Sequence, residues 1–226
     1  MILKADKVRK EFLRENRSAG TNCFAAVTET DLALESGTLT VLTGRSGSGK
    51  STLLNMLCGL SQPAGGRILL DDTDIYAQTD AALSRLRNEK FGVVPQGQTA
   101  LHSLTVLENI LLPFSLYGKS PDTAYAETLL SRLDISALRD AKPAELSGGE
   151  LRRMAIARAA VTKPAFLFAD EPTGDLDDEN TETVFRFLRE SADGGAAVLI
   201  VTHESGAAAY ADRRFRMSAG VLTEDA

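Results

Sequence analysis

The segment GRSGSGKS, residues 44–51, constrains this chain more than any other. It fits the pattern G-x-x-x-x-G-K-[ST], in which glycines allow the backbone to wrap closely around phosphate oxygens. An apolar run precedes the segment, and an amphipathic pattern that includes Leu53, Leu54 and Leu57 follows it. This context favours a phosphate-binding loop between a strand and a helix N-terminus over a simple glycine-rich turn.

Four short apolar runs predict the strands of a parallel sheet. They cover residues 38–44, 91–96, 165–171 and 197–203. Nearly unbroken apolar runs of this length are typical of strands that are buried on both faces. Helical patterns at 50–59 and 179–193 alternate with them, which indicates an α/β fold.

The remaining segments define the expected domain organisation. Residues 14–22 predict a hairpin or loop, while residues 97–160 show helical patterns without a convincing strand. We therefore expect one domain over residues 1–226. Its α/β core would comprise residues 1–96 and 161–226, and a helical lobe would be inserted at 97–160.

Polar residues end the four predicted strands. Because ligands of open parallel sheets bind beyond the carboxyl ends of the strands, these residues are expected to share one site. They are Gly44, Gln96, Asp170 with Glu171, and His203.

Phosphoryl-transfer chemistry assigns candidate roles at this edge. Lys50 would meet the β and γ phosphates, and Thr52 the α phosphate. Ser51 and Asp170 would hold Mg²⁺, while Glu171 would polarise the attacking water. The two carboxylates have one alternative, which is that they merely precede and cap a helix.

His203 and the composition complete the residue-level predictions. His203 would bond the γ phosphate and orient the water; the alternative is a structural histidine at a strand end. The net charge of -6 argues against nucleic acid as a partner. No apolar stretch approaches the roughly 20 residues that cross a bilayer. We therefore expect a cytoplasmic chain that meets a membrane only through another protein.

A second anion site is predicted at residues 145–161, ELSGGELRRMAIARAAV. Ser147 and Glu150 have the spacing of a capping box, and Gly148 with Gly149 leaves the first helical turn bare. An ordinary helix cap is the alternative. Since the first loop already holds a triphosphate, two such sites suggest that two chains share one nucleotide.

Taken in order, the phosphate loop, Gln96, LSGGE, FLFADEPTGDLD and His203 closely resemble the ATP-binding-cassette (ABC) ATPase family. The resemblance implies a RecA-like phosphate-loop core with an N-terminal antiparallel β portion and an inserted helical lobe. It also implies ATP and Mg²⁺ as cofactors. The expected partners are a second copy, or a paralogous cassette, in a head-to-tail dimer, and a transmembrane permease at the cytoplasmic face of the membrane.

The same resemblance implies roles for individual residues. Phe12 would stack on adenine, although a core phenylalanine is the competing interpretation. Ser147, Gly148 and Gly149 would contact the γ phosphate held by the opposite subunit, and Asp177 would lie in the loop that communicates across the dimer. Gln96 would sense Mg²⁺ and couple to the partner. The loop residues implied to hold nucleotide are Gly44, Arg45, Ser46, Gly47, Ser48, Gly49, Lys50, Ser51 and Thr52.

Within the family, the chain is most similar to the branch that serves lipoprotein release, macrolide-type export and bacterial cell division. This implies a subunit that energises a permease, with a regulatory ATPase that signals without transport as the alternative. Two residues depart from the branch pattern. Pro95 stands where an aromatic residue is more usual, and Asp175 where asparagine is frequent.

Overall fold

The structure, a computed structural model, describes residues 1–16, 20–97, 99–174 and 176–225. For residues 13–16 and 20–23 only the backbone is described, and Asp175 lies outside the described residues. The strands and α-helices follow the chain in the order β1 (Ile2–Asn16), β2 (Gly20–Glu35), β3 (Leu39–Thr43), α1 (Lys50–Leu57), β4 (Gly65–Leu70), β5 (Thr73–Asp74), α2 (Asp80–Lys90), β6 (Phe91–Val94), α3 (Val106–Ser115), α4 (Thr123–Arg132), α5 (Gly148–Ala160), β7 (Phe166–Asp170), α6 (Asp178–Asp193), β8 (Ala197–Thr202), β9 (Arg213–Ser218) and β10 (Val221–Asp225).

Two sheets form the framework. An antiparallel sheet has the order β2-β1-β4-β5, and a six-stranded sheet has the order β10-β9-β3-β8-β7-β6. In the second sheet β9, β3, β8, β7 and β6 are parallel, and β10 pairs antiparallel with β9. The α/β class and the antiparallel N-terminal portion are confirmed.

The four strands that the apolar runs predict are all present, because their side chains are enclosed on both faces. Every residue of β7 and β8 is buried. Two further strands, β9 and β10, and the helix α2 were missed. In β9, RRFRMS, only Phe215 and Met217 are buried, so the strand presents arginines outward and lacks an unbroken apolar run.

The parallel sheet separates two hydrophobic cores. One face packs on α1 and the antiparallel sheet, and the other face packs on α3, α4, α5 and α6. Between β6 and β7 the described residues form three α-helices and two short 3-10 turns. These helices share a core with the sheet, and their assignment as a separate lobe over 97–160 remains a prediction. In the part of the chain that the structure describes, no helix combines the length and the apolar character needed to cross a membrane.

The strand order places the predicted residues side by side. The neighbours β3, β8, β7 and β6 run parallel, so their carboxyl ends meet at one edge of the sheet. The phosphate loop follows β3 and His203 follows β8. Asp170 ends β7, Glu171 comes directly after it, and Gln96 lies two residues beyond β6. The fold therefore delivers these side chains to one place.

Candidate functional site

The phosphate loop is wedged between the two sheets. Gly44, Gly47 and Gly49 all have positive φ, at 152°, 76° and 108°. A Cβ on Gly44 would collide with the carbonyl oxygen of Met217 in β9, and a Cβ on Gly49 with that of Ala26 in β2. Only glycine fits these two positions. Any other residue would be strained by the positive φ, and its side chain would also collide with the neighbouring strand.

The Lys50 side chain is folded back over this loop. It is buried at 7% exposure, and its Nζ donates to the carbonyl oxygens of Gly44, at 2.7 Å, and Arg45, at 3.1 Å. The ammonium is thereby held at the start of α1, where the helix dipole adds positive potential. Ser48 contributes a buried hydroxyl with no hydrogen-bond partner in the described structure. The loop concentrates donors and positive charge where an anion would bind.

Asp170 is a buried carboxylate with an unused oxygen. Its exposure is 5%, and Oδ1 has no hydrogen-bond partner among the described residues. Burial raises the pKa of Asp170, and the charge of Glu171 raises it further. The Ser51 hydroxyl, which hydrogen-bonds to this carboxyl, and the charges of Lys50 and Arg152 act in the opposite direction.

An orphaned carboxylate oxygen beside a hydroxyl suits a hard cation, since Mg²⁺ takes oxygen ligands and completes its shell with phosphate and water. Asp170 and Ser51 therefore fit the Mg²⁺ predicted for them. The bound cation would also supply a positive charge that compensates the buried carboxylate.

Glu171 is held in an unusual conformation. Its φ is 49°, and its N–H donates to the carbonyl oxygen of Val201 at 2.7 Å. Its Oε2 accepts from the Thr202 hydroxyl at 3.1 Å and lies 3.0 Å from Nδ1 of His203. A left-handed non-glycine residue costs free energy and persists where its surroundings fix it. The end of β8 thus aims this carboxylate, and Thr202 is a contact that the sequence did not reveal.

A cleft of about 850 Å³ gathers most of the predicted site. Its lining includes the loop residues 45–52, Gln96, Glu171 and His203. Gly44 is not in this lining but faces a neighbouring cavity that also includes His203. The four strand ends therefore converge as expected, with Asp170 buried and hydrogen-bonded to Ser51.

Two aromatic rings stand at the rim of the cleft. Phe12 is 48% exposed and lies directly opposite Phe24 across the β1–β2 pair. Phe24 is 51% exposed and lines the same cleft. Phe12 is therefore not a core residue, and its adenine contact remains a prediction. Phe24 was missed because nothing in the sequence specifies which residue pairs with Phe12.

The predicted second anion site is a capped helix start. Ser147 caps α5: the N–H of Glu150 donates to its Oγ at 3.3 Å, and Glu150 Oε2 accepts from the Ser147 N–H at 2.7 Å. The capping box is confirmed. Ser147 and Gly148 are exposed, and neither they nor Gly149 belong to the described lining of the cleft. Their contact with a nucleotide of another subunit remains a prediction.

Asp177 links α6 to α5. It caps α6, and its Oδ1 accepts from the N–H of Asn180 at 2.8 Å. The side-chain oxygen of Asn180 in turn accepts from Arg153, which is buried in α5. The predicted communicating loop is thus connected through hydrogen bonds to the helix that begins at Ser147.

Comparisons with known proteins agree with this geometry. The family profile for ABC transporters matches residues 27–174. The lipoprotein-releasing system ATP-binding protein LolD of Myxococcus xanthus is 39% identical over 196 residues, covering 85% of this chain and 88% of its own length. The methionine import ATP-binding protein MetN of Cereibacter sphaeroides is 41% identical over 204 residues, which cover 89% of this chain but 56% of MetN.

The solved structures extend the likeness over the whole chain. The dimeric structure of MJ0796, a bacterial ABC transporter cassette, superposes with a TM-score of 0.89 at 28% identity and covers 98% of both chains. A second dimeric structure of MJ0796, in a post-hydrolysis state bound to ADP and Pi, gives the same score, identity and coverage.

The packing of Gly49 generates a first prediction. In Gly49→Ala the new methyl group would push against Ala26, shift the loop and lower the affinity for ATP by about tenfold or more. The measurement is isothermal titration with a non-hydrolysable ATP analogue. Gly118→Ala is the matched control, because Gly118 also has positive φ but open space around it. An equal loss of affinity in Gly118→Ala, which lies outside the cleft, would show that general destabilisation rather than the contact with β2 is responsible.

The burial of Asp170 generates a second prediction. Because its folded-state pKa is raised, the charged form destabilises the fold, and the associated stability is lost as pH rises through the folded pKa. Asp170→Asn should therefore raise the free energy of unfolding at neutral pH without metal or nucleotide, and the difference should shrink as pH falls. With Mg²⁺ and an ATP analogue added, the parent chain should instead have the higher free energy of unfolding.

Chemical denaturation at several pH values measures both effects. Asp72→Asn, at an exposed position, is the control and should change the free energy of unfolding by no more than about 0.5 kcal/mol. A metal-free Asp170→Asn variant that is less stable than the parent chain would contradict the interpretation of Asp170 as an uncompensated buried charge.

Proposed function

The chain belongs to the ABC transporter family of ATPases, and we propose that it energises a permease of the lipoprotein-releasing type. The observation that carries the finer assignment is the extent of the likeness to LolD proteins, which covers more than four-fifths of both chains in several bacteria. The likeness to MetN covers little more than half of that protein.

The coarser function follows from family membership. The chain is an ATP-binding and ATP-hydrolysing subunit, it works as a dimer, and it drives a separate membrane permease with which it associates peripherally. We further propose that this association is at the cytoplasmic face of the membrane. The absence of nucleic acid from its partners also remains an expectation from charge.

In the proposed hydrolysis, Lys50 and the loop N–H groups hold the β and γ phosphates. Glu171, aimed by Thr202 and His203, polarises the water that attacks the γ phosphate, and His203 turns its exposed ring toward that phosphate. Mg²⁺ bound by Ser51 and Asp170, with Gln96 nearby, would neutralise charge that develops on the phosphates. Phe12 would stack on the adenine ring.

The dimer supplies the remaining half of each site. Ser147, Gly148 and Gly149 present a helix N-terminus to solvent, which is a favourable place for a phosphate that another subunit carries. Asp177 lies at the start of α6 and would approach the partner's loop. Closure of the two subunits around two ATP molecules would join each phosphate loop to Ser147, Gly148 and Gly149 of the opposite subunit.

A groove between α2, α3 and α5 is the proposed permease contact. It has a volume of about 310 Å³, and its apolar lining includes Phe91, Leu112, Leu116 and Tyr117. Leu116 is 68% exposed, which is a large apolar area to leave in water. The groove adjoins the segment that follows Gln96, so a permease helix bound there would lie close to the nucleotide cleft.

Glu171→Gln tests the hydrolytic assignment. Removing the carboxylate charge should lower kcat by about a hundredfold or more while ATP binding persists, since the phosphate loop is unchanged. The variant should then form an ATP-dependent dimer by size-exclusion chromatography. Adding Ser147→Tyr to the same chain should abolish that dimer but not nucleotide binding. Turnover at the parental rate in Glu171→Gln would remove Glu171 from the mechanism.

Purification from native membranes tests the partner. The tagged chain should co-elute with a permease that has a large extracytoplasmic domain, and Leu116→Glu should lower the yield of that permease at least about fivefold by placing a charge in the groove. Val221→Glu, at an exposed edge position, should leave the yield unchanged. An amino-acid permease would replace the lipoprotein-release assignment, and a division protein without transport activity would favour the signalling alternative.

A further inference from the structure

Two arginines of α5 grip opposite ends of the loop that carries Gln96. Arg152 Nη1 donates to the carbonyl oxygen of Pro95 at 2.8 Å. Arg158 Nη1 donates to the carbonyl oxygen of Thr99 at 2.8 Å, and its Nη2 donates to the Thr99 hydroxyl. Gln96 therefore lies between two residues, Pro95 and Thr99, that are both hydrogen-bonded to a single helix.

The two arginines face different sites. Arg152 lines the nucleotide cleft together with Lys50 and Glu171, and its charge acts to lower the pKa of Asp170. Arg158 lines the groove between α2, α3 and α5. Six helical positions separate them, which is a rise of roughly 9 Å along α5. The same loop is thus held from the cleft side and from the groove side.

The chemistry of these contacts makes them directional. A guanidinium is planar and presents several N–H donors in a fixed fork, so Arg158 binds both oxygens of Thr99 at once. The acceptors are neutral, and the guanidinium of Arg158 is partly buried, which lowers its pKa by removing part of its charge from water. Breaking either contact would remove a hydrogen bond from both a carbonyl oxygen and a charged guanidinium group.

Because of where α5 lies, a movement of this helix would also move the Gln96 loop. The helix begins at the cap Ser147 and packs against β6, the strand from which the Gln96 loop emerges. A displacement of α5 would carry both anchors with it, because a helix with intact hydrogen bonds moves as a unit. The loop would follow at both ends and shift Gln96 over the cleft.

We propose that Arg152 and Arg158 are positioning residues that form a two-arginine clamp, which sets Gln96 in the nucleotide cleft and moves it with α5. This inference rests on the proposed role of Gln96 at the Mg²⁺-ATP site. In this arrangement Arg152 acts through the carbonyl group of Pro95, and Arg158 through Thr99 at the edge of the permease groove. Neither arginine needs to touch the reacting phosphate.

A double-mutant cycle on the full-length subunit tests the clamp, with steady-state ATPase activity as the readout. Arg152→Gln should lower kcat by about tenfold, which corresponds to about 1.4 kcal/mol of activation free energy. The KM for Mg²⁺-ATP should change by less than about twofold, because the phosphate loop that binds the nucleotide is untouched.

The combination with Gln96→Ala separates positioning from an independent role. If Arg152 acts through Gln96, then Arg152→Gln should slow the Gln96→Ala enzyme by no more than about twofold further. Effects that multiply would overturn the proposal, and so would a Gln96→Ala enzyme with parental kcat, since nothing would then need positioning.

The distal anchor has its own variants. Arg158→Gln should also lower kcat and show the same lack of additivity with Gln96→Ala. Thr99→Val keeps the carbonyl acceptor but removes the hydroxyl, so it should cost less than Arg158→Gln. Arg152→Lys, which keeps the charge and a donor nitrogen but loses the planar fork, should recover part of the activity and guards against a glutamine variant that fails to fold.

Arg67→Gln is the matched control, because Arg67 is an exposed arginine paired with Asp6 in the other sheet. Its kcat should stay within about twofold of the parental value. Failure of the clamp is distinguishable from failure of the proposed function. In the first case Glu171→Gln still abolishes turnover while the arginine and Gln96 effects multiply, whereas in the second Glu171→Gln itself hydrolyses ATP normally.

Discussion

The conformation of the phosphate loop depends on close packing against two strands from different sheets, which leave no room for side chains on its glycines. Gly44 lies against the backbone of Met217 in β9 and Gly49 against that of Ala26 in β2, so the loop touches both sheets. Its conformation aims the N-terminus of α1 and folds Lys50 back over the loop carbonyl groups. The strands β9 and β2 are therefore part of the nucleotide site although neither carries a catalytic group.

The electrostatics of the cleft are arranged for a ligand more than for stability. Asp170 is almost fully buried with an unpartnered oxygen, and Glu171 adds a second carboxylate next to it. Water cannot solvate Asp170, and the nearby charge of Lys50 compensates only in part. A bound cation would compensate the charge of the carboxylates, and a bound triphosphate would compensate the charge of Lys50. This explains why the protein tolerates an unfavourable buried charge at Asp170.

The helix α5 connects features that are far apart in the sequence. Its start is the exposed cap at Ser147, its buried Arg153 bonds to Asn180 near the cap of α6, and Arg152 and Arg158 hold the loop after β6. One helix thus begins at the Ser147 cap and is hydrogen-bonded to the Asn180 side chain near Asp177 and to the Gln96 loop. In the proposed dimer, ATP-dependent closure would act on this helix first, because its N-terminus would meet the nucleotide of the other subunit.

The sequence by itself determined the α/β class, the four central strands, the phosphate loop and the convergence of Gln96, Asp170, Glu171 and His203. These follow from local patterns, since an unbroken apolar run must be buried and parallel strands end at one edge. It did not determine β9, whose outward arginines conceal its two buried side chains, or β10, in which no residue is buried. Nor did it determine the partner of Phe12, which depends on strand register. The contacts of Thr202 with Glu171 and of Arg152 and Arg158 with the Gln96 loop were decided only by tertiary packing. They join residues 31, 57 and 59 positions apart through long or end-of-strand side chains, whose reach no local periodicity encodes.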